Sequence, residues 1–302
     1  MILIKGKDYE TPFIKEVMVQ SITKAGMKPW QAYSFVAELR DELLGKGVVE
    51  ISTEDLADLI YKRLKDVNGR IADRYKTSRD IKIGKREPLI VLLGGGTGVG
   101  TTTVGTEVAH RLGIRNTIAT DSIREIMRKT ISSGLLPYLH ASSFDAHKYV
   151  KVPLSKEKDK KLVSFQLQTW AISVGIEAVI ERALKEGTPT LVEGLYVVPG
   201  FISEELSNRP NVLMFMLHLK NEKEHRNRFY SRAFETKFKR TIDSYMENFG
   251  AIREIQKYVT EKANELKVPV IENSDVEETV TKIIDQSIES MVKESKKETK
   301  DE

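Results

Sequence analysis

Cysteine is absent from this sequence, so disulfides and thiolate metal sites are both excluded. No apolar run is long enough to span a membrane. The N-terminus, MILIKGKDYE, has too short an apolar stretch for a signal peptide. These absences predict a cytoplasmic protein with no membrane partner. A large excess of one charge is also missing. The formal net charge of +4 suits anionic small molecules and creates no requirement for nucleic acid. Apolar residues make up 40%, ample for a core in a 302-residue chain with room for one large domain and a small one. The 30% of charged residues, largely Lys and Glu, fit a thermophile.

The chain is organised around Pro88 to Leu112, PLIVLLGGGTGVGTTTVGTEVAHRL. Leu89 to Leu93 reads as a buried strand, Gly94 to Gly100 as a glycine loop, and Thr101 to Leu112 as a helix. Strand, glycine loop and helix together make a phosphate-binding loop. Glycines let backbone N–H groups turn inward onto phosphate oxygens, and the helix start adds its positive dipole end. Gly95 and Gly100 occupy the glycine positions of G-x-x-x-x-G-K-[ST], with Gly96, Thr97, Gly98 and Val99 between them. Thr102 falls on the Mg²⁺-ligating hydroxyl, and Thr101 stands where the motif has lysine. Either another cation replaces that lysine or the loop is not catalytic.

Residues 1–75 read as a small domain. Met1 to Lys5 is a short strand, and Pro12 suits the first turn of a helix bearing Ile14, Val17, Met18 and Ile22. A second helix follows Pro29, with Trp30, Tyr33, Val36, Ala37, Leu43 and Leu44 recurring at helical spacing. Ser52 with Asp55 forms a capping box ahead of a third helix, and Ile71 to Tyr75 makes a short fourth. Residues 76–87 are charged without a helical stripe and read as a linker. The order strand, ETPF, helices, RIADRY resembles the ATP-cone, a regulatory adenine-nucleotide module. In that resemblance Lys5 matches a basic residue of the first strand, and Gly6 replaces its usual basic neighbour.

Residues 88–289 form the larger domain. Thr117 to Asp121 reads as its second strand. Ligands of parallel α/β sheets sit beyond the carboxyl ends of the strands. Asp121 is thus placed to accept a proton from an acceptor hydroxyl or to cap the next helix. Arg124 and Arg128, one turn apart, form an anion trap for the second substrate. In LLPYLHASSFDAHK the histidines are seven apart with no third ligand, so its polar residues line a loop or pocket. Lys151 to Lys161 reads as an exposed charged stretch. Phe165 to Lys185 is a long helix burying Phe165, Leu167, Trp170, Ala171, Val174, Ala178 and Leu184. Thr190 to Gly194 is a strand ending at Glu193, where P-loop enzymes place the second Mg²⁺-organising carboxylate. Asn211 to Leu219 is the next strand. It precedes the arginine-rich helix Asn221 to Ala233, in which Arg228 and Arg232 share a face and act as lid arginines replacing the missing lysine. Val268 to Ile271 is the last strand, and residues 290–302 are a charged tail read as disordered.

GGGTGVGTTT, TDSIRE, LLPYLHASS, LVEGLYVVPG and HRNRFYSRA, in that order behind an ATP-cone, resemble the archaeal 2-phosphoglycerate kinases over nearly the whole chain. The fold expected is α/β: a P-loop NTPase-type parallel sheet flanked by helices, preceded by a small mainly helical ATP-cone domain. The resemblance implies that ATP and 2-phosphoglycerate give ADP and 2,3-bisphosphoglycerate, on the route to cyclic 2,3-diphosphoglycerate. It makes Thr101 a family variant. The assignments that follow are Gly95 to Thr102 to ATP phosphates, Thr102 and Glu193 to Mg²⁺, and Asp121 as base. Arg124 and Arg128 go to substrate, and Arg228 and Arg232 to the lid. Two alternatives stay open: a kinase for another small anionic metabolite or nucleotide, and a non-catalytic ATP sensor. The sequence specifies no oligomeric state.

Overall fold

The computed structural model describes the backbone of residues 2–7, 9–82, 87–150, 157–235 and 242–301, and their side chains except at 81–82, 157–159, 232–235 and 292–301. The chain divides into two compact units. The first comprises Met1–Arg86, Arg111–Gly113 and Ile288–Glu302; the second comprises Glu87–His110 and Ile114–Ser287.

In the first unit, β1 (Leu3–Lys5) pairs antiparallel with β2 (Glu10–Pro12) and parallel with β3 (Glu50–Ser52). Around this sheet stand α1 (Lys15–Lys24), α2 (Pro29–Gly45), α3 (Thr53–Val67) and α4 (Gly69–Lys82). Pro12 therefore closes a strand and does not open a helix. It is tolerated because β2 is an edge strand, where a missing N–H breaks no ladder. On α2 the expected Val36 and Leu43 are buried, but the rest of the stripe differs from the expected one. Ala32, Phe35, Val36, Leu39 and Leu43 are buried, while Trp30, Tyr33 and Leu44 face out. On α1, Ile22 is buried but Ile14 and Val17 are exposed. The Ser52 cap forms as expected: its hydroxyl accepts the Asp55 N–H at 3.0 Å. The fourth helix runs on to Lys82, through half of the expected linker, because Lys, Arg and Asp without a stripe still propagate a nucleated helix. At Gly6 the ring of exposed Tyr9 occupies the space a β-carbon would need, so a basic side chain there requires that ring to move aside.

The second unit contains β4 (Ile90–Gly95), α5 (Thr101–Leu112), β5 (Asn116–Ala119), α6 (Thr120–Thr130) and α7 (Glu157–Lys185). It continues with β6 (Thr190–Gly194), α8 (Glu204–Ser207), β7 (Val212–His218), α9 (Glu222–Glu235) and α10 (Ile242–Glu247). α11 (Phe249–Glu265) and β8 (Val270–Glu272) complete it, and α12 (Val276–Asp301) belongs to it as far as Ser287, its remainder being counted with the first unit. Five parallel strands lie in the order β5-β6-β4-β7-β8. β4 is central and buried along its whole length, so its glycine loop leaves from the middle of the sheet.

Three expectations fail here in whole or in part. On α7 Phe165 and Ala171 are buried as expected, but the buried side also carries Gln168, Ile172, Ile176 and Ile180, while Trp170 and Val174 are exposed. The polar residues enter the core because their groups are satisfied: Thr169 Oγ1 donates to the Phe165 carbonyl, and Gln168 Nε2 to the carbonyls of Tyr138 and Ala141. Residues Lys160–Lys185 are also long and apolar enough to cross a membrane, contrary to the expectation that no such run exists. Their buried face packs on the sheet, so this is a core helix. Likewise α12 continues to Asp301, where a disordered tail is expected, because Lys and Glu are good helix formers. Residues 151–156 of the charged stretch lie outside the described residues.

Candidate active site

The loop between β4 and α5 is shaped by crowding behind it. Gly98 and Gly100 hold φ of +86° and +95°, a region that disfavours side chains. A β-carbon at Gly98 would stand 2.6 Å from Phe229 Cζ, and one at Gly100 would stand 2.7 Å from Asn273 Nδ2. Phe229 belongs to an aromatic pad with His225, Tyr245 and Phe249. His225 Nε2 donates to the Thr97 carbonyl at 2.8 Å. Arg253 Nη1 lies 3.4 Å from His225 Nδ1 and can only donate, so the ring carries its proton on Nε2. Burial, then the nearby Arg253 and Arg228 charges, lowers the His225 pKa and keeps the ring neutral. The Val99 carbonyl accepts from Asn273 Nδ2 at 2.7 Å and Arg228 Nη1 at 3.0 Å.

Arg228 is therefore not a free lid cation. Its Nη2 also bonds Glu224 at 2.7 Å and the Asn273 carbonyl, which commits the guanidinium to the back of the loop. Arg226 stacks over the Phe249 ring. Arg232 lies in α9, with its side chain outside the described residues.

At the first turn of α5, Thr102 Oγ1 donates to Glu193 Oε1 at 3.0 Å. Glu193 is 3% exposed and stands opposite Leu93 of β4. The sheet order makes this pairing possible by placing β6 directly beside the loop's own strand. A hydroxyl and a buried carboxylate are hard oxygen donors of the kind Mg²⁺ takes with water and phosphate oxygens, so this donor set fits that ion.

β5 ends at Ala119, two residues earlier than expected, and Asp121 lies in the first turn of α6. It does not cap that helix, whose N-cap is Ala119. Its side chain is 60% exposed and lies 3.9 Å from Arg124. Arg124 donates to Tyr196 Oη at 3.1 Å, and Tyr196 Oη lies 3.4 Å from Gln168 Oε1. Burial pushes the Tyr196 pKa up to about 12, so this phenol stays a neutral donor toward Gln168. Arg128 pairs with Glu125 at 2.9 Å. The anion trap is thus two arginines that each already have a carboxylate neighbour on their own helix.

In the segment before α7, His140 bonds the Ile131 carbonyl and His147 the Phe144 carbonyl. Among the described residues, no group of three or more His, Asp or Glu side chains is placed to hold a metal. His225, Tyr196 and Gln168 were not singled out in the sequence. His225 sits in a segment whose dominant signal is its arginines, and the partner of each lies far along the chain.

The family model of the ATP cone domain matches residues 1–82. A 2-phosphoglycerate kinase of Methanothermobacter thermautotrophicus is 42% identical over 97% of this chain and 96% of its own length. The chain belongs to the 2-phosphoglycerate kinase family. A second member, from Methanopyrus kandleri, is 41% identical over 94% of this chain and 86% of its own. Among solved structures, a gluconokinase from Sinorhizobium meliloti 1021 aligns over 70% of this chain and 98% of its own, at 15% identity and a TM-score of 0.39. The chain is an α/β P-loop kinase with an N-terminal ATP-cone domain.

Proposed function

We propose that the chain transfers the γ-phosphoryl group of ATP to the free hydroxyl of 2-phosphoglycerate, giving ADP and 2,3-bisphosphoglycerate. Family membership over nearly the full chain carries the choice of acceptor. The phosphate loop, with Thr102 bonded to Glu193, supports the reaction type. In the transfer, a bond forms between the acceptor oxygen and Pγ, and the bond from Pγ to the ADP oxygen breaks. Asp121 takes the hydroxyl proton. Arg124 and Arg128 receive the acceptor's carboxylate and phosphate, and Arg232 keeps the lid role that its place in the sequence suggests. Thr102 and Glu193 hold Mg²⁺, which, when bound, offsets negative charge on the phosphates. Positioning and charge stabilisation account for most of the rate, as in phosphoryl transfer generally. The absence of cysteine and the charged substrates suit the cytoplasm.

The test is ADP release with Mg-ATP and 2-phosphoglycerate, run beside 3-phosphoglycerate and nucleoside monophosphates. Release that depends on 2-phosphoglycerate, with a bisphosphorylated product, is expected. Asp121→Asn is expected to lower kcat by about 10²–10⁴-fold while ATP still binds. Release with another acceptor alone would discard the named substrate. ATP binding without any release would favour a sensor.

A further inference from the structure

The residues behind the phosphate loop do more than fill space. In a trans peptide the carbonyl of one residue and the N–H of the next point in opposite directions. Fixing a carbonyl on the outer side of a loop therefore aims the following N–H at its inner side. His225 fixes the Thr97 carbonyl, and so aims the Gly98 N–H. Asn273 and Arg228 fix the Val99 carbonyl, and so aim the Gly100 N–H. The three side chains come from α9 and from the residue after β8. Two of them are joined directly: Arg228 bonds the Asn273 backbone carbonyl, and Asn273 N–H bonds the His218 carbonyl of β7 at 2.9 Å. His225 is held by Arg253, whose Nη1 also donates to the Leu219 carbonyl at 2.6 Å. His225 and Asn273 are both fully buried.

We propose that His225, Asn273 and Arg228 are positioning residues that hold the Thr97–Gly98 and Val99–Gly100 peptides in the anion-binding orientation before nucleotide arrives. This rests on the reading that Gly95 to Thr102 receive the ATP phosphates. A loop with threonine at the lysine position has one side-chain cation fewer to draw the phosphates in. Its backbone donors then carry more of the binding, and their orientation matters more. Donors already aimed cost no reorganisation when the anion binds.

Inorganic tripolyphosphate probes the cradle without adenine or acceptor. On the full chain, its inhibition constant against ATP, the KM for ATP and the KM for 2-phosphoglycerate would be measured together with thermal melting. Asn273→Asp keeps the shape and replaces the donor with an acceptor facing the Val99 carbonyl. His225→Leu removes the donor to Thr97, and His225→Gln restores one. The expected result for N273D and H225L is a rise of about tenfold in both the inhibition constant and the ATP KM. The KM for 2-phosphoglycerate stays as in the wild type, and H225Q recovers most of the loss. Arg228→Lys keeps the charge and reaches fewer of the three acceptors, which gives an independent reading should N273D fail to fold. An ATP KM that rises while tripolyphosphate inhibition does not change would overturn the proposal, since the residues would then act on another part of the nucleotide. So would H225Q as impaired as H225L, or an equal rise in both KM values. A wild-type enzyme that tripolyphosphate does not inhibit would overturn the phosphate reading itself, and this proposal with it.

Discussion

A β-carbon on Gly194 would be driven into Thr120 Oγ1, and the residue sits at φ +133°. Gly194→Ala therefore combines backbone strain with a clash at the junction of β6 and α6, one residue from Glu193. The expected loss is about 2–4 kcal/mol of stability, with activity falling alongside it. Denaturant titration and turnover on the same preparation check both. At this scale the sequence revealed whatever is local. The Thr102 hydroxyl and Glu193 carboxylate were legible because each sits at a fixed place in its own strand–loop–helix segment. The hydrogen bond between them confirms that they meet. The His225 and Asn273 contacts were not legible. Their partners, Thr97 and Val99, are 128 and 174 residues away, and no local pattern encodes such a pairing.

Elements were read most securely where one signal dominated. β6 (Thr190–Gly194) and α5 (Thr101–Leu112) have the expected limits, because a short apolar run or a glycine loop bounds each. β2 and β3 were missed: three residues each, one ending in proline, leave no alternation to detect. On α2 and α7 the aromatic residues mislead as core markers, although Val36, Leu43, Phe165 and Ala171 are buried as expected. Trp30, Tyr33 and Trp170 are more than half exposed, and Gln168 and Thr169 lie inside. The α3 start was read correctly and offers a clean test. Ser52 Oγ accepts the Asp55 N–H and donates to its carboxylate at 2.6 Å. Ser52→Ala is expected to cost about 1 kcal/mol, with Ser52→Thr recovering most of it. Circular dichroism melting reads the change, and an unaltered midpoint would show the cap to be idle.

For the whole molecule, the informative fact is that the two units have separate cores. One is built from residues between Ile2 and Tyr75, the other from residues between Ile90 and Val270. Deleting residues 1–86 removes no side chain of the second core, while Arg111–Gly113 and Ile288–Glu302, which group with the first unit, stay in the chain. The expected outcome is an enzyme that still transfers phosphate but responds differently to ATP concentration. Initial rates over a wide ATP range, with and without the segment, provide the check, and superimposable curves would end the regulatory role. The two-part organisation was legible because the glycine loop announces a new domain. The end of the first unit was not, because α4 carries helix through residues that read as a linker.

The central place of β4 has a consequence for how the protein is made. β4 begins at Ile90, and the strands that flank it begin at Thr190 and Val212. Synthesis at about 5–20 residues per second leaves both of its edges bare for several seconds. During that interval a wholly apolar strand with no neighbour is open to chaperones or to the same strand of another nascent chain. A host short of chaperones at that moment loses the protein to aggregates without any change in the stability of what does fold.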